Sequence, residues 1–395
     1  MSRARRCVAA SLLLSLLCFC RSVAWSLWPS PRQHGPSGRR VLRRAGFSVH
    51  SNLDLDVSVP DSDLEAGVPW LLAAGALLGL RQLKALIDGP EEFQLQPGSL
   101  QNRTVLITGG SSGLGFESAL RLAEAGARVL VTCRSGEEQL LSSLRKELDT
   151  EEMEVLRLDL ANLQSIRDFA SQCEHLLAGT GLDVVICNAG VMAVPQRCLT
   201  LDGFEMQLGV NHLGHFALCG HLLPLLGRGG RSARVVCVSS LAHRLGSADR
   251  LLQELESPDV ALASYNAWAA YSDSKLANVM FAKELDRRFR AAGTKASAVS
   301  LHPGLCATDL ARYVVSGKDE PLEVTYSKYA APIQALLQAA RGMLRPVPRG
   351  ANSQVFLAAG ADGGLDQSGG EYFQDMQIAE MHEDASDPEL GARLW

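Results

Sequence analysis

No Cys-x-x-Cys pair occurs among the ten cysteines of this 395-residue chain, and their spacing is irregular. That excludes a zinc-ribbon pattern and argues against a disulfide framework. Cys133, Cys187 and Cys237 lie instead in apolar runs, as buried thiols of a reducing compartment do. Long hydrophobic runs are missing too. Cys7 to Cys20 and Ala66 to Leu80 span only about 14 and 15 residues, short of the roughly 20 that a spanning helix needs. Residues 1–53 contain no Asp, Glu or Lys but nine arginines. Of the 38 basic residues 29 therefore remain in 54–395, against 43 acidic ones, so the body carries about −14. An acidic body excludes nucleic acid as a partner. With 47% hydrophobic residues, about 300 positions can form one large α/β domain.

The uneven charge marks a leader. Residues 1–24 read as a signal peptide: Arg3, Arg5 and Arg6, an apolar run, then small residues around Ser22 and Ala24. Residues 25–65 read as a transit-peptide-like basic linker turning acidic after residue 53. Together they are similar to the bipartite leaders of algae whose plastids are reached through the secretory pathway, so a plastid address is expected. A plain secretory leader to the endoplasmic reticulum, followed by a basic linker, is the alternative. Residues 66–88 form an apolar segment with Arg81 and Lys84 at its end. It is a possible membrane anchor or interfacial stretch, or else a helix packed on the domain.

The folded domain is expected over 100–395. Arg103 to Thr108 reads as a buried strand, followed by the turn Gly109-Gly110-Ser111-Ser112-Gly113-Leu114-Gly115 and a helix from Phe116. Strand, glycine-rich turn and helix lay a pyrophosphate on the helix N-terminus, where unpaired N–H groups and the dipole favour anions. A second strand from Ala127 to Cys133 ends in Arg134. An acid at this point would take a ribose 2′-hydroxyl; an arginine accommodates a 2′-phosphate, so NADP(H) is the expected cofactor. Further strands end at Asp159-Leu160, at Asn188-Ala189-Gly190, at Ser239-Ser240 and before His302-Pro303-Gly304. Strands alternating with helices predict a Rossmann-type doubly wound parallel sheet, with the site beyond the strands' carboxyl ends.

Tyr271 and Lys275 stand four apart in a helical pattern, one turn above each other on one face. A nearby ammonium favours the phenolate, and the pair is expected to lower the tyrosine's pKa toward the range of an acid/base catalyst.

Thr108-Gly-Gly-Ser-Ser-Gly-Leu-Gly115, Cys187-Asn-Ala-Gly190, Val210-Asn-His-Leu-Gly-His-Phe216, Tyr271-x-x-x-Lys275 and His302-Pro-Gly304 together resemble the short-chain dehydrogenase/reductase superfamily. Asp202-Gly-Phe-Glu205, Lys275-Leu-Ala-Asn-Val279 and Leu301-His-Pro-Gly304 look most like its retinol dehydrogenase-like branch, whose relatives include WW-domain oxidoreductases and the plastid translocon dehydrogenase. One departure is Cys187, where the family more often has asparagine. The resemblance implies that Tyr271 is the proton donor and acceptor. It implies that Lys275 binds the nicotinamide ribose, Ser240 holds the substrate oxygen, and Asn211 keeps a water of the proton relay. It also implies that Pro303, Gly304 and Thr308 line the nicotinamide, with Thr308 on its carboxamide.

The expected activity is carbonyl–alcohol interconversion on a lipophilic substrate. Alternatives are an NADPH-sensing part of an organelle import complex, and a protochlorophyllide reductase-like enzyme. No metal is expected, since His212, His215 and His302 have no ligand-triad spacing and read as packed side chains. Substrate specificity is expected in 310–349, as a lid or as ordinary helix packing.

Overall fold

The computed structural model describes residues 78–79, 81–148, 150, 152–228, 230–257, 265–360 and 368–395. The leader expected over 1–65, and most of the apolar segment that follows, lie outside the described residues.

Eight strands form one sheet in the order β3-β2-β1-β4-β5-β6-β7-β8. These are β1 Thr104–Ile107, β2 Arg128–Cys133, β3 Met153–Arg157, β4 Val184–Cys187, β5 Ala233–Val238, β6 Ala296–His302, β7 Tyr372–Gln374 and β8 Gln377–Ala379. Only β7 with β8 is antiparallel. The chain starts at the sheet centre, winds outward to β3, then crosses back beside β1 at β4. That reversal opens the crevice at the strands' carboxyl ends where doubly wound folds bind ligands.

The strands read as continuous apolar runs because helices cover both faces. Successive side chains alternate between two cores. Val105 and Ile107 join Leu122, Ala351 and Val355 on one face, while Leu106 joins Ile166, Phe169, Leu218 and Phe281 on the other. Each fully buried Leu or Val contributes about 1.5–3 kcal/mol, and a cavity left by Leu106→Ala costs about 2–5 kcal/mol.

The covering helices are α1 over 81–88, α2 Gly113–Glu124, α3 Glu137–Glu147, α4 Leu163–Leu176, α5 Gly214–Leu222, α6 Ala248–Glu256 and α7 Ala267–Ala291. After β6 come the short α8 Arg312–Ser316, α9 Leu322–Ser327 and α10 Ala331–Gly342, then the buried α11 Val347–Ala359. Among the described residues no helix is long and apolar enough to cross a membrane.

Two features stand outside the sequence expectation. The hairpin β7–β8 extends the six-strand pattern; its strands have three residues each, too short to show a period, and its turn is Asp375-Met376. Both turn residues have positive φ, 52° and 64°, the geometry that a tight hairpin normally gives to Asn-Gly or Asp-Gly. The body also begins before residue 100. Phe93 N donates to Asn352 Oδ1 at 2.9 Å, Asn352 Nδ2 donates to Glu91 O at 2.8 Å, and Arg121 donates to Phe93 O. Of the described cysteines, Cys133, Cys173, Cys187, Cys219 and Cys237 are buried and free; Cys198 is exposed.

Candidate active site

The glycine turn is built by close approach. Gly109 and Gly113 have φ of +68° and +60°, where a side chain is strained. A Cβ on Gly109 would lie 2.8 Å from Ala189 Cα, and one on Gly113 would lie 3.1 Å from Thr308 Cγ2. The fold therefore packs the turn against both the Asn188-Ala189-Gly190 turn and Thr308. Asn188 Nδ2 donates to the carbonyls of Thr108 and Gly109 at 2.8 and 3.0 Å. Gly115 is buried inside α2, while Ser111 and Ser112 are exposed and Leu114 is half-buried. Ser112, the extended N-cap of α2, makes no side-chain cap bond, so the first-turn N–H groups receive no acceptor from it.

Tyr271 and Lys275 sit in the first half of α7, which is started by Asn266, whose side chain accepts from Trp268 N and Ala269 N. Tyr271 is 3% and Lys275 3% exposed. The ammonium lies 5.8 Å from the phenol ring centroid and donates to Val238 O at 3.1 Å. Asn211 lies on a π-helical turn, Gly209–Leu213, a local widening that often marks functional positions. Its amide exchanges bonds with the Val191 main chain, Nδ2 to O at 2.9 Å and N to Oδ1 at 2.8 Å, and also donates to Ser274 Oγ. Over Gly190 the two residues converge: a Cβ there would meet Asn211 Oδ1 at 3.0 Å and Lys275 Nζ at 3.5 Å. Ser240 leaves β5 as the N-cap of a short turn, Oγ accepting from Ala242 N at 3.2 Å, and its hydroxyl is close enough to the Tyr271 phenol to act on its ionisation. Ser239 instead donates to Lys275 O at 2.6 Å, so of the adjacent serines Ser240 faces the tyrosine.

The electrostatics differ from the sequence expectation. Burial pushes the Tyr271 phenol up to about 12, with the Ser240 hydrogen bond pulling it back. Burial also pushes Lys275 down to about 8. Removing two groups from water disfavours both charged forms, and at this separation that outweighs their mutual attraction.

The other expected residues divide. Asp159 is half-buried, its Oδ1 accepting from Ala161 N at 3.0 Å, whereas the Leu160 side chain belongs to the core. Pro303 O accepts from Arg345 Nη1 at 3.0 Å, and Gly304 has φ +92°. Arg134 is exposed and pairs with Asp319 Oδ2 at 3.2 Å, the same carboxylate that Arg312 binds. Sequence reasoning passed over Asp319 and Arg345, because each acts on partners far along the chain.

Could a nicotinamide dinucleotide fit here? The buried Lys275 ammonium has three donors, and Val238 O is its one hydrogen-bond acceptor among the described residues. A ribose diol would supply acceptors. The N-terminus of α2, with no cap bond from the Ser112 side chain, offers its N–H groups to a pyrophosphate. The residues fit the group.

The family description "short chain dehydrogenase" matches residues 103–250. Mouse Retinol dehydrogenase 14 is 37% identical over 345 residues, 82% of this chain and 94% of the relative. The chain belongs to the short-chain dehydrogenase/reductase family. Mouse Polyprenol dehydrogenase is 35% identical over 333 residues, covering 82% of this chain and 90% of its own. A crystal structure of an uncharacterised protein from Mycobacterium paratuberculosis superposes with a TM-score of 0.55 at 34% identity, over 77% of this chain and 95% of the other. As a short-chain dehydrogenase/reductase of the retinol dehydrogenase-like branch, this chain is an oxidoreductase acting on CH–OH groups with a nicotinamide cofactor.

Proposed function

We propose that this short-chain dehydrogenase/reductase interconverts an alcohol and its carbonyl on a lipophilic substrate, with NADP(H) as hydride carrier and Tyr271 as general acid/base. The observation that carries the reading is the buried Tyr271 phenol, beside Ser240 and one helical turn from the buried Lys275.

The cofactor supplies the hydride when bound; the chain supplies everything else. Lys275 holds the ribose hydroxyls. Ser240 and Tyr271 present two O–H donors to the substrate oxygen, stabilising the alkoxide-like charge that develops there. Tyr271 gives up its proton during reduction and takes one during oxidation, Asn211 and Lys275 meeting over Gly190 to pass it onward. Asn188 keeps the glycine turn shaped for the pyrophosphate, and Ser111 and Ser112 stand at its open edge. Pro303, Gly304 and Thr308 line the nicotinamide, with Thr308 pressed on the glycine turn.

For the 2′-phosphate the support is Arg134, directly past β2, where no acid stands in sequence. Asp319 now holds that guanidinium through an exposed ion pair, worth at most about 1 kcal/mol. A doubly charged phosphate displaces it. For a lipophilic substrate, the relatives' names give retinol and polyprenol. The exposed Trp268, its ring 6.4 Å from that of Tyr271, adds an apolar surface beside the reacting centre.

The test follows NADPH absorbance while the full chain meets a panel of isoprenoid and short-chain aldehydes and ketones. Turnover favouring long apolar substrates with NADPH supports the reading; equal rates with NADH and small polar carbonyls would remove both finer parts of it.

A further inference from the structure

Arg345 stands where three distant segments meet. Its side chain is 6% exposed. Nε donates to Ile87 O at 2.9 Å, in the last turn of α1, and Nη1 donates to Pro303 O at 3.0 Å and to Asp375 Oδ1 at 2.6 Å in the β7–β8 turn. Its main chain grips the same loop after β6. Arg345 N donates to Leu305 O at 2.8 Å, and Ala307 N donates to Arg345 O at 3.1 Å.

The neighbouring backbone is shaped around the guanidinium. A Cβ on Gly304 would lie 2.5 Å from Arg345 Cζ, and one on Gly89 would also run into the fork. Gly304 and Gly89 have φ of +92° and +66°, a conformation that glycine tolerates best. A planar guanidinium can hold two carbonyls and a carboxylate in fixed directions at once, which a lysine ammonium on a flexible stem does not.

We propose that Arg345 is the positioning residue for the nicotinamide half of the cofactor. It fixes residues 303–307, and through them sets Thr308 against Gly113 of the glycine turn. The proposal rests on the reading that Pro303, Gly304 and Thr308 hold the nicotinamide. A second link runs to the serine. Burial first, then the Arg345 charge, keeps His302 neutral, and His302 Nδ1 accepts from Leu241 N at 3.2 Å, one residue past Ser240. Arg345 thus braces both walls of the reacting centre without touching substrate.

The test uses the full-length chain and two ligands, NADPH and 2′-phospho-ADP-ribose, which has the adenosine half but no nicotinamide. Arg345→Lys, which keeps the charge and loses the fork, should weaken NADPH binding by about tenfold. The same variant should hold the fragment within about twofold of the wild type. Asp375→Asn, which removes only the charge partner, should shift the two ligands in the same unequal way by a smaller factor. Equal losses for both ligands in Arg345→Lys would mean a general structural role and overturn the proposal; so would unchanged affinity for both. A wild type that binds both ligands equally would remove the nicotinamide subsite itself, and the underlying reading would fall with it.

Discussion

The Thr108 hydroxyl lies 2.8 Å from Nε2 of His215, and His215 Nδ1 lies 3.0 Å from Asn211 O. A carbonyl only accepts, so Nδ1 donates and Nε2 accepts the hydroxyl proton. Thr108 Oγ1 in turn accepts from Asn188 N and Ala189 N at 3.0 and 3.1 Å. One neutral imidazole thereby joins the glycine turn to the π-helical turn that carries Asn211.

Replacing His215 with leucine removes the acceptor at 2.8 Å from the Thr108 hydroxyl and the ring donor to the Asn211 carbonyl, both in the interior. Each unsatisfied group costs about 1–3 kcal/mol. The denaturation midpoint should fall, and cofactor affinity with it, as both turns loosen. Unchanged stability would show that the two groups find other partners.

Tyr271→Phe removes the hydroxyl and keeps the ring that packs on Trp268. Cofactor affinity should hold while turnover drops at least about a hundredfold. Turnover within a factor of two of the wild type would exclude the phenol from the chemistry.

The rate should respond to pH in opposite senses for the two directions. Alcohol oxidation needs the phenolate, and burial holds the phenol in its protonated form, so oxidation should rise with pH up to tenfold per unit. Carbonyl reduction needs the phenol and should stay level across the same range. A reduction rate that climbs alongside oxidation would contradict Tyr271 as the titrating group.

Acid should unfold the protein early. Burial pushes His212 and His302 down to about 3, and His215 and His243 down to about 4, from an ordinary 6.5. Below about 6.5 the unfolded chain takes up protons that the folded chain refuses. Stability is therefore complete above that value and is lost as pH falls toward 4, by roughly 1 kcal/mol per histidine per pH unit. Equal urea midpoints at pH 7 and pH 5 would refute it.

Arg134→Ala should narrow any preference for NADPH over NADH, and Asp319→Asn should widen it by freeing the guanidinium. The second effect is small, about twofold to fivefold, because the pair is exposed. Isothermal titration of both cofactors reads it. A narrower preference in Asp319→Asn would mean that the carboxylate supports the phosphate site.

Much of the sheet was legible because its signals are local. A buried parallel strand is a short apolar run, and β1, β2, β4 and β5 are such runs closed by turn residues. β7 and β8 were not, since three residues carry no period and Asp375-Met376 is not a hairpin signal. Leu160 shows the converse limit. It belongs to a motif, yet in the turn after β3 its side chain packs into the core with Leu158 and Ile166.

Tyr271 and Lys275, the glycine turn and Arg134 were visible in the chain because spacing along one helix or one turn sets which groups share a side. Their environment was not. Whether the phenol's pKa falls or rises depends on how deeply α7 is covered, and that cover comes from segments dozens of residues away. Asp319 reaches Arg134 across 185 positions, and Arg345 reaches Ile87 across 258. Local geometry named the candidate groups; desolvation and long-range pairing, which only a closed fold supplies, set their charges and held them in place.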